Sequence, residues 1–299
     1  MACACGGASP PACARASRTP WRSLPLVPEL DRGDWSLAYD VAGAAEAPVA
    51  LLLHDSPDDR RVWRALATDM VEDFRTIAPD LRGFGESGRP PDPEASPAMG
   101  DYADDLSALL DGEGVDTFAV IGAGFGAEVA LELALGAPER VDLVVLSGAL
   151  PAADHPSYTE DLRAYQEQVA ERARLAGRFG MGRAGVNAAT AIEGTYLRDS
   201  TRQRYGRVDA DAFAAAHEAC ASRGDLLARL ASLSVPALVV AGEDDPLLPA
   251  ARLLADTLPQ GQLRTIEGCG RGAPFVAPRA FEGALGAFFG DVRAGEAQG

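Results

Sequence analysis

Short, wholly apolar runs alternate along this chain with stretches whose apolar residues recur at helical spacing, and few folds accommodate that order. Pro48-Val49-Ala50-Leu51-Leu52-Leu53, Thr76-Ile77-Ala78, Phe118-Ala119-Val120-Ile121 and Val141 to Leu146 are runs of the first kind. Between them, Val62, Trp63, Leu66, Met70 and Val71 form one helical face, and Tyr102, Leu106, Leu109 and Leu110 form another; Ala127 to Leu135 is helical as well. A strand without a polar face is covered on both sides. Strands in strict alternation with helices therefore predict a mostly parallel sheet flanked by helices on both faces, an α/β fold.

The alternation stops after Gly148 and resumes at Ala237-Leu238-Val239-Val240, followed by Leu247 to Leu258, Leu263 to Ile266 and Phe281 to Phe289. The intervening stretch has no buried-strand run, but it has amphipathic faces: Leu162, Tyr165 and Val169 on one, Phe213, His217 and Cys220 on another. An insertion of this length between two sheet strands predicts a helical cap over residues 151–229. The core then comprises 23–150 and 230–292, with a disordered tail at 1–22 and a short one at 293–299.

Charge narrows the partners. Acids outnumber bases 44 to 27, a net charge of −17, which disfavours nucleic acid and anionic membrane. Every base is arginine, so neither a Schiff-base lysine nor a phosphate-loop lysine is available. Cys3, Cys5, Cys13, Cys220 and Cys269 have neither disulfide nor zinc spacing. No signal-peptide core or membrane-length apolar run is present. The expectation is a reduced, cytoplasmic protein with a small-molecule substrate, no metal and no cofactor; association as a homodimer stays open.

Several local segments, in order, resemble the α/β-hydrolase family, in its capped haloperoxidase- and esterase-like branch. His54-Asp55-Ser56-Pro57 stands where that family has a His-Gly-x-Pro loop. Asp80-Leu81-Arg82-Gly83-Phe84-Gly85-Glu86-Ser87 is similar to its D-x-R-G-x-G-x-S turn, Pro138-Glu139-Arg140-Val141 to the run entering its sixth strand, and Gly242-Glu243-Asp244-Asp245-Pro246 to the segment bearing its acid. The resemblance spans about Trp35 to Gly290. It implies an eight-stranded, mostly parallel sheet with the cap inserted after the sixth strand.

The same resemblance exposes departures at the reactive positions. The family's nucleophile elbow is G-x-S-x-G; here it reads Gly122-Ala123-Gly124-Phe125-Gly126, with no side chain at the nucleophile position. The turn that carries the family's histidine reads Gly268-Cys269-Gly270-Arg271. Arginine stays protonated and cannot serve as a general base. Only Asp245 of the implied triad remains, and Arg271 is expected to form a bidentate ion pair with it.

The implied oxyanion hole consists of backbone N–H groups of Phe125 and Ser56, which survive any side-chain change. Such donors stabilise developing charge by about 2.7–4 kcal/mol each. Loss of the serine is expected to vacate space beneath them. Asp55, in place of a glycine, is a candidate to move a proton. Gly124, His54, His155, His217 and Cys269 are expected to line the substrate pocket.

Three functional classes follow. One is a non-hydrolytic enzyme that promotes addition, cyclisation, elimination or C–C bond formation on a carbonyl substrate. The others are an inactive pseudo-hydrolase used for binding, and a hydrolase with a relocated nucleophile. The Ala/Arg/Gly-rich, lysine-free composition resembles that of high-GC actinomycetes, which points the first class toward polyketide-type biosynthesis.

Overall fold

The computed structural model describes residues 27–91, 97–152, 155–179, 208–224 and 226–296. The expected N-terminal tail lies outside these residues, as do Cys3, Cys5 and Cys13. Eight strands form one sheet: β1 (Glu29–Asp31), β2 (Ser36–Ala42), β3 (Val49–Leu53), β4 (Arg75–Pro79), β5 (Phe118–Ala123), β6 (Val141–Ser147), β7 (Ala237–Gly242) and β8 (Gly261–Ile266). Their spatial order is β1-β2-β4-β3-β5-β6-β7-β8. β1–β2 and β2–β4 pair antiparallel, and all later pairs are parallel. Every residue of β3, β5 and β7 is buried, as their unbroken apolar sequences require.

Among the described residues the α-helices are α1 (Arg64–Met70), α2 (Met99–Gly112), α3 (Phe125–Gly136), α4 (Glu160–Phe179), α5 (Ala210–Ser222), α6 (Leu227–Leu230), α7 (Leu248–Thr257), α8 (Ala273–Val276) and α9 (Pro278–Glu296). The core has two layers, one on each face of the sheet. One joins α2, α3, α5 and α7 to the sheet through residues such as Leu106, Phe125, Leu131, Phe213 and Leu254. The other packs Trp63, Phe74, Phe281 and Phe288 beneath Leu52, Ile121 and Val240. Between β6 and β7 the regular elements among the described residues are helices, with α4 and α5 in contact. The last helix runs to Glu296, past the expected end of the core at 292.

Strand order reverses at β3: the chain proceeds to β4 on one side and to β5 on the other. The loops at the carboxyl ends of β3 and β5 therefore flank a crevice, the position where open α/β sheets hold ligands. Asp55 and Gly124 are on those two loops.

Candidate active site

β5 ends in a sharp turn into α3, and Gly124 is the turn residue, with φ 50° and ψ −117°. Its N–H donates to the Ser147 carbonyl at 2.7 Å. The space above Gly124 is not vacant. A Cβ on this residue would stand 1.9 Å from Asp55 Oδ1 and 2.0 Å from its Cγ. The Asp55 carboxylate fills the volume that an elbow side chain would take, which corrects the expectation of empty space there.

Both expected oxyanion donors bind this carboxylate. The N–H groups of Ser56 and Phe125 each donate to Asp55 Oδ1 at 2.8 Å. On the other oxygen, Arg271 Nη2 donates to Oδ2 at 3.1 Å. A carboxylate presents about four lone-pair positions, and three are engaged. Asp55 is thus pinned at the crevice rather than solvated on its loop, with its side chain 22% exposed.

Arg271 pairs with Asp55, and the expected Asp245–Arg271 bridge does not form. Asp245 follows β7 and is 5% exposed, with Oδ1 accepting from the Leu247 N–H at 2.8 Å. Burial raises its carboxyl above the usual aspartate range; the Leu247 bond and the nearby Arg271 charge oppose that shift, and the Asp55 charge adds to it. The physical reason for the exchange of partners is position. Asp55 offers Arg271 an unprotected oxygen at the mouth of the crevice, whereas Asp245 is already anchored to its own turn.

Tyr165 of α4 lies beneath the guanidinium, its ring centre 4.7 Å from Cζ. Arg271 Nη1 is buried and has no hydrogen-bond partner. A void of about 10 Å³, room for roughly one water, adjoins it and is lined by Asp55, Gly124, Ser147, Gly148, Arg271 and Phe275.

The other expected pocket residues are placed differently. His54 is fully buried: its Nε2 accepts from the Leu81 N–H at 3.0 Å, so Nδ1 carries the proton and donates to the Asp55 carbonyl at 2.8 Å. Burial holds its imidazole below the usual range. It is a structural brace between two loops and not a pocket residue. Cys269 is 2% exposed and packs in the layer on the opposite face, with Ala273 and Phe281. His155 Nδ1 lies 2.8 Å from Ser157 Oγ, and its ring neighbours Tyr158 ahead of α4. His217 lies on α5 with its ring 4.4 Å from Phe213, a core residue.

Two participants had weak sequence signals. Cys220 of α5 lies near enough for the Asp55 charge to add to burial, which together push its thiol up to about 12. Tyr165 appears in the sequence only as one apolar position of an amphipathic face. α5 is fixed to the core where Arg223 pairs with Glu128 of α3 and donates to the Leu150 carbonyl. Burial lowers Arg223 to about 10.

The eight-stranded order, the turn after β5 and the loops at the crevice define a class of protein, and comparison with known proteins identifies the same one. The α/β-hydrolase fold family model matches residues 48–278, and the chain belongs to that family. It is 31% identical to 2-hydroxymuconate semialdehyde hydrolase of Pseudomonas sp. (strain CF600) over 242 residues, 78% of this chain and 82% of the relative. It is 32% identical to the hydrolase of the same name from Pseudomonas putida over 260 residues, 81% and 88% of the two chains. Among solved structures, a thermophilic esterase from Thermogutta terrifontis superposes with a TM-score of 0.73 at 28% identity, covering 86% of this chain and 94% of the esterase. Among the described residues, no helix is long and apolar enough to cross a membrane.

Proposed function

We propose that this chain is a non-hydrolytic enzyme of the α/β-hydrolase family that has lost the serine triad. In this reading it acts on a small carbonyl compound of polyketide type beneath α4 and α5, the described helices of the expected cap. One observation carries the reading: the Asp55 carboxylate occupies the elbow volume and accepts both backbone N–H groups that would otherwise receive a reacting oxygen. No serine, cysteine or threonine side chain projects from the elbow, so an acyl-enzyme cannot form at Gly124.

The remaining chemistry belongs to Asp55 and Arg271. Oδ1 is held by two N–H groups and Oδ2 by one guanidinium donor, which leaves one lone-pair position on Oδ2 for a proton. Asp55 takes a proton from carbon α to the substrate carbonyl: the C–H bond breaks, an O–H bond forms on Oδ2, and the electron pair moves into the enolate. Arg271 supplies positive charge where that oxygen becomes anionic. The enolate then adds, cyclises or eliminates within the bound substrate. In this scheme the N–H groups of Phe125 and Ser56 position the base instead of the substrate. The relatives named for a semialdehyde, itself a carbonyl compound, support the substrate class.

The experiment is proton exchange. The full chain is incubated in D2O with a panel of cyclic and acyclic 1,3-diketones, and loss of the α-proton signal is followed by NMR. Exchange above buffer for at least one compound, abolished in Asp55→Asn, is expected. Binding without exchange would instead establish the second reading, a ligand-binding protein, which the already satisfied oxyanion donors favour.

A further inference from the structure

We propose that Arg271 Nη1 and the void beside Gly148 form a subsite for one neutral carbonyl oxygen. This inference rests on the reading of the crevice as a carbonyl site and specifies which atom receives the oxygen. A buried guanidinium nitrogen without a partner is a costly arrangement, and Nη1 is such an atom. Its sister Nη2 is fixed on Asp55 and its plane lies over Tyr165, so Nη1 cannot swing to another acceptor without breaking both contacts.

The space before Nη1 is kept open by Gly148, a glycine with positive φ. A Cβ on Gly148, φ +78°, would stand 3.3 Å from Nη1 and 3.7 Å from the Gly124 Cα. Any side chain there would close the gap. What remains is room for about one water, which is also the room one carbonyl oxygen needs.

Charge selects the kind of oxygen. Arg271 is already balanced by Asp55 at 3.1 Å, and the buried Asp245 carboxyl is near enough for the two charges to act on each other. A ligand carboxylate would bring a further negative charge beside Asp55 and Asp245. A ketone or aldehyde oxygen brings none and still accepts a charge-assisted hydrogen bond from Nη1. The subsite therefore takes ketones or aldehydes and rejects carboxylates of the same shape.

Three probes of nearly equal shape test this: acetophenone, benzoate and ethylbenzene, titrated into the full chain by NMR. The carbonyl stretch of 13C-labelled acetophenone is read in parallel by infrared difference spectroscopy. Acetophenone is expected to bind about tenfold or more tighter than either analogue, with its carbonyl stretch moved below its position in water. Arg271→Lys, which keeps the charge on Asp55 but removes the fork, should abolish both effects while thermal unfolding shows the chain folded. Equal or tighter binding of benzoate, an unshifted stretch, or no acetophenone binding overturns the subsite. None of these readouts needs turnover, so absence of α-proton exchange would overturn the proposed reaction and leave the subsite standing.

Discussion

Replacing Gly124 by serine restores the residue type that α/β-hydrolase elbows carry, and in this chain it should destabilise the fold. The new Cβ meets Asp55 Oδ1 at 1.9 Å, Cγ at 2.0 Å and Oδ2 at 2.3 Å, so the carboxylate must leave. Departure breaks three charge-assisted hydrogen bonds, from the Ser56 and Phe125 N–H groups and Arg271 Nη2, each about 1.5–3 kcal/mol. A non-glycine residue at φ 50°, ψ −117° adds backbone strain of about 1–3 kcal/mol. Water at the part-exposed Asp55 recovers a share of the loss, and a net cost of about 3–5 kcal/mol is expected. In an Asp55→Gly background the obstacle is absent, and the same serine should cost only the strain, about 1–3 kcal/mol. A double-mutant cycle by urea denaturation measures the difference, with an expected coupling of at least ~2 kcal/mol. Additive costs, within about 0.5 kcal/mol, would refute the claim that Asp55 occupies the elbow.

Four further outcomes are expected. A fluorophosphonate probe should leave the wild-type chain unlabelled at every serine, whereas Asp55→Gly/Gly124→Ser/Arg271→His should become labelled at residue 124; labelling of the wild type would revive a relocated nucleophile. Arg271→Ala should cost about 1–3 kcal/mol in chemical denaturation, less than a fully buried pair, because both partners are about a quarter exposed; adding Asp55→Asn should recover part of it. Burial raises the Asp245 carboxyl, so its stabilising contribution is present below the unfolded value near pH 3.9 and lost as pH rises through the folded value. The stability advantage of Asp245→Asn, whose amide oxygen keeps the Leu247 bond, should therefore grow as pH increases from about 4 to 7, and a shrinking advantage would contradict the shift. Cys220, held up to about 12, and the buried Cys269 should resist iodoacetamide at neutral pH and react on unfolding, as peptide mass mapping would show.

The sheet is legible in the sequence because its central strands are buried on both faces, so Val49–Leu53, Phe118–Ala123 and Ala237–Gly242 carry no polar residue to blur the pattern. The chemical identity of the site is legible too: a glycine at the elbow, an arginine after β8, an aspartate in the loop after β3. Which of these meet is not. Arg271 lies 26 residues from Asp245 and 216 from Asp55 along the chain, and only the third dimension brings the distant one closer. The pocket assignments of His54 and Cys269 fail for a related reason. Position in a loop near the site does not tell which side of the sheet a side chain takes, and His54 turns inward to Leu81 while Cys269 packs beneath the sheet.

The Asp55 carboxylate also constrains which substitutions the site tolerates. From an elbow bearing any side chain, an aspartate in the neighbouring loop could not put its carboxylate where Asp55 has it, because the first side-chain carbon of residue 124 would stand 1.9 Å from Oδ1. An elbow without a side chain is therefore a condition for this placement of Asp55, and Arg271 takes the carboxylate so placed as its partner. A serine placed at 124 alone collides with the carboxylate, and an aspartate removed alone leaves a guanidinium without its counter-charge. Positions 55, 124 and 271 are thereby tied together, so that a change at any one of them is felt at the other two.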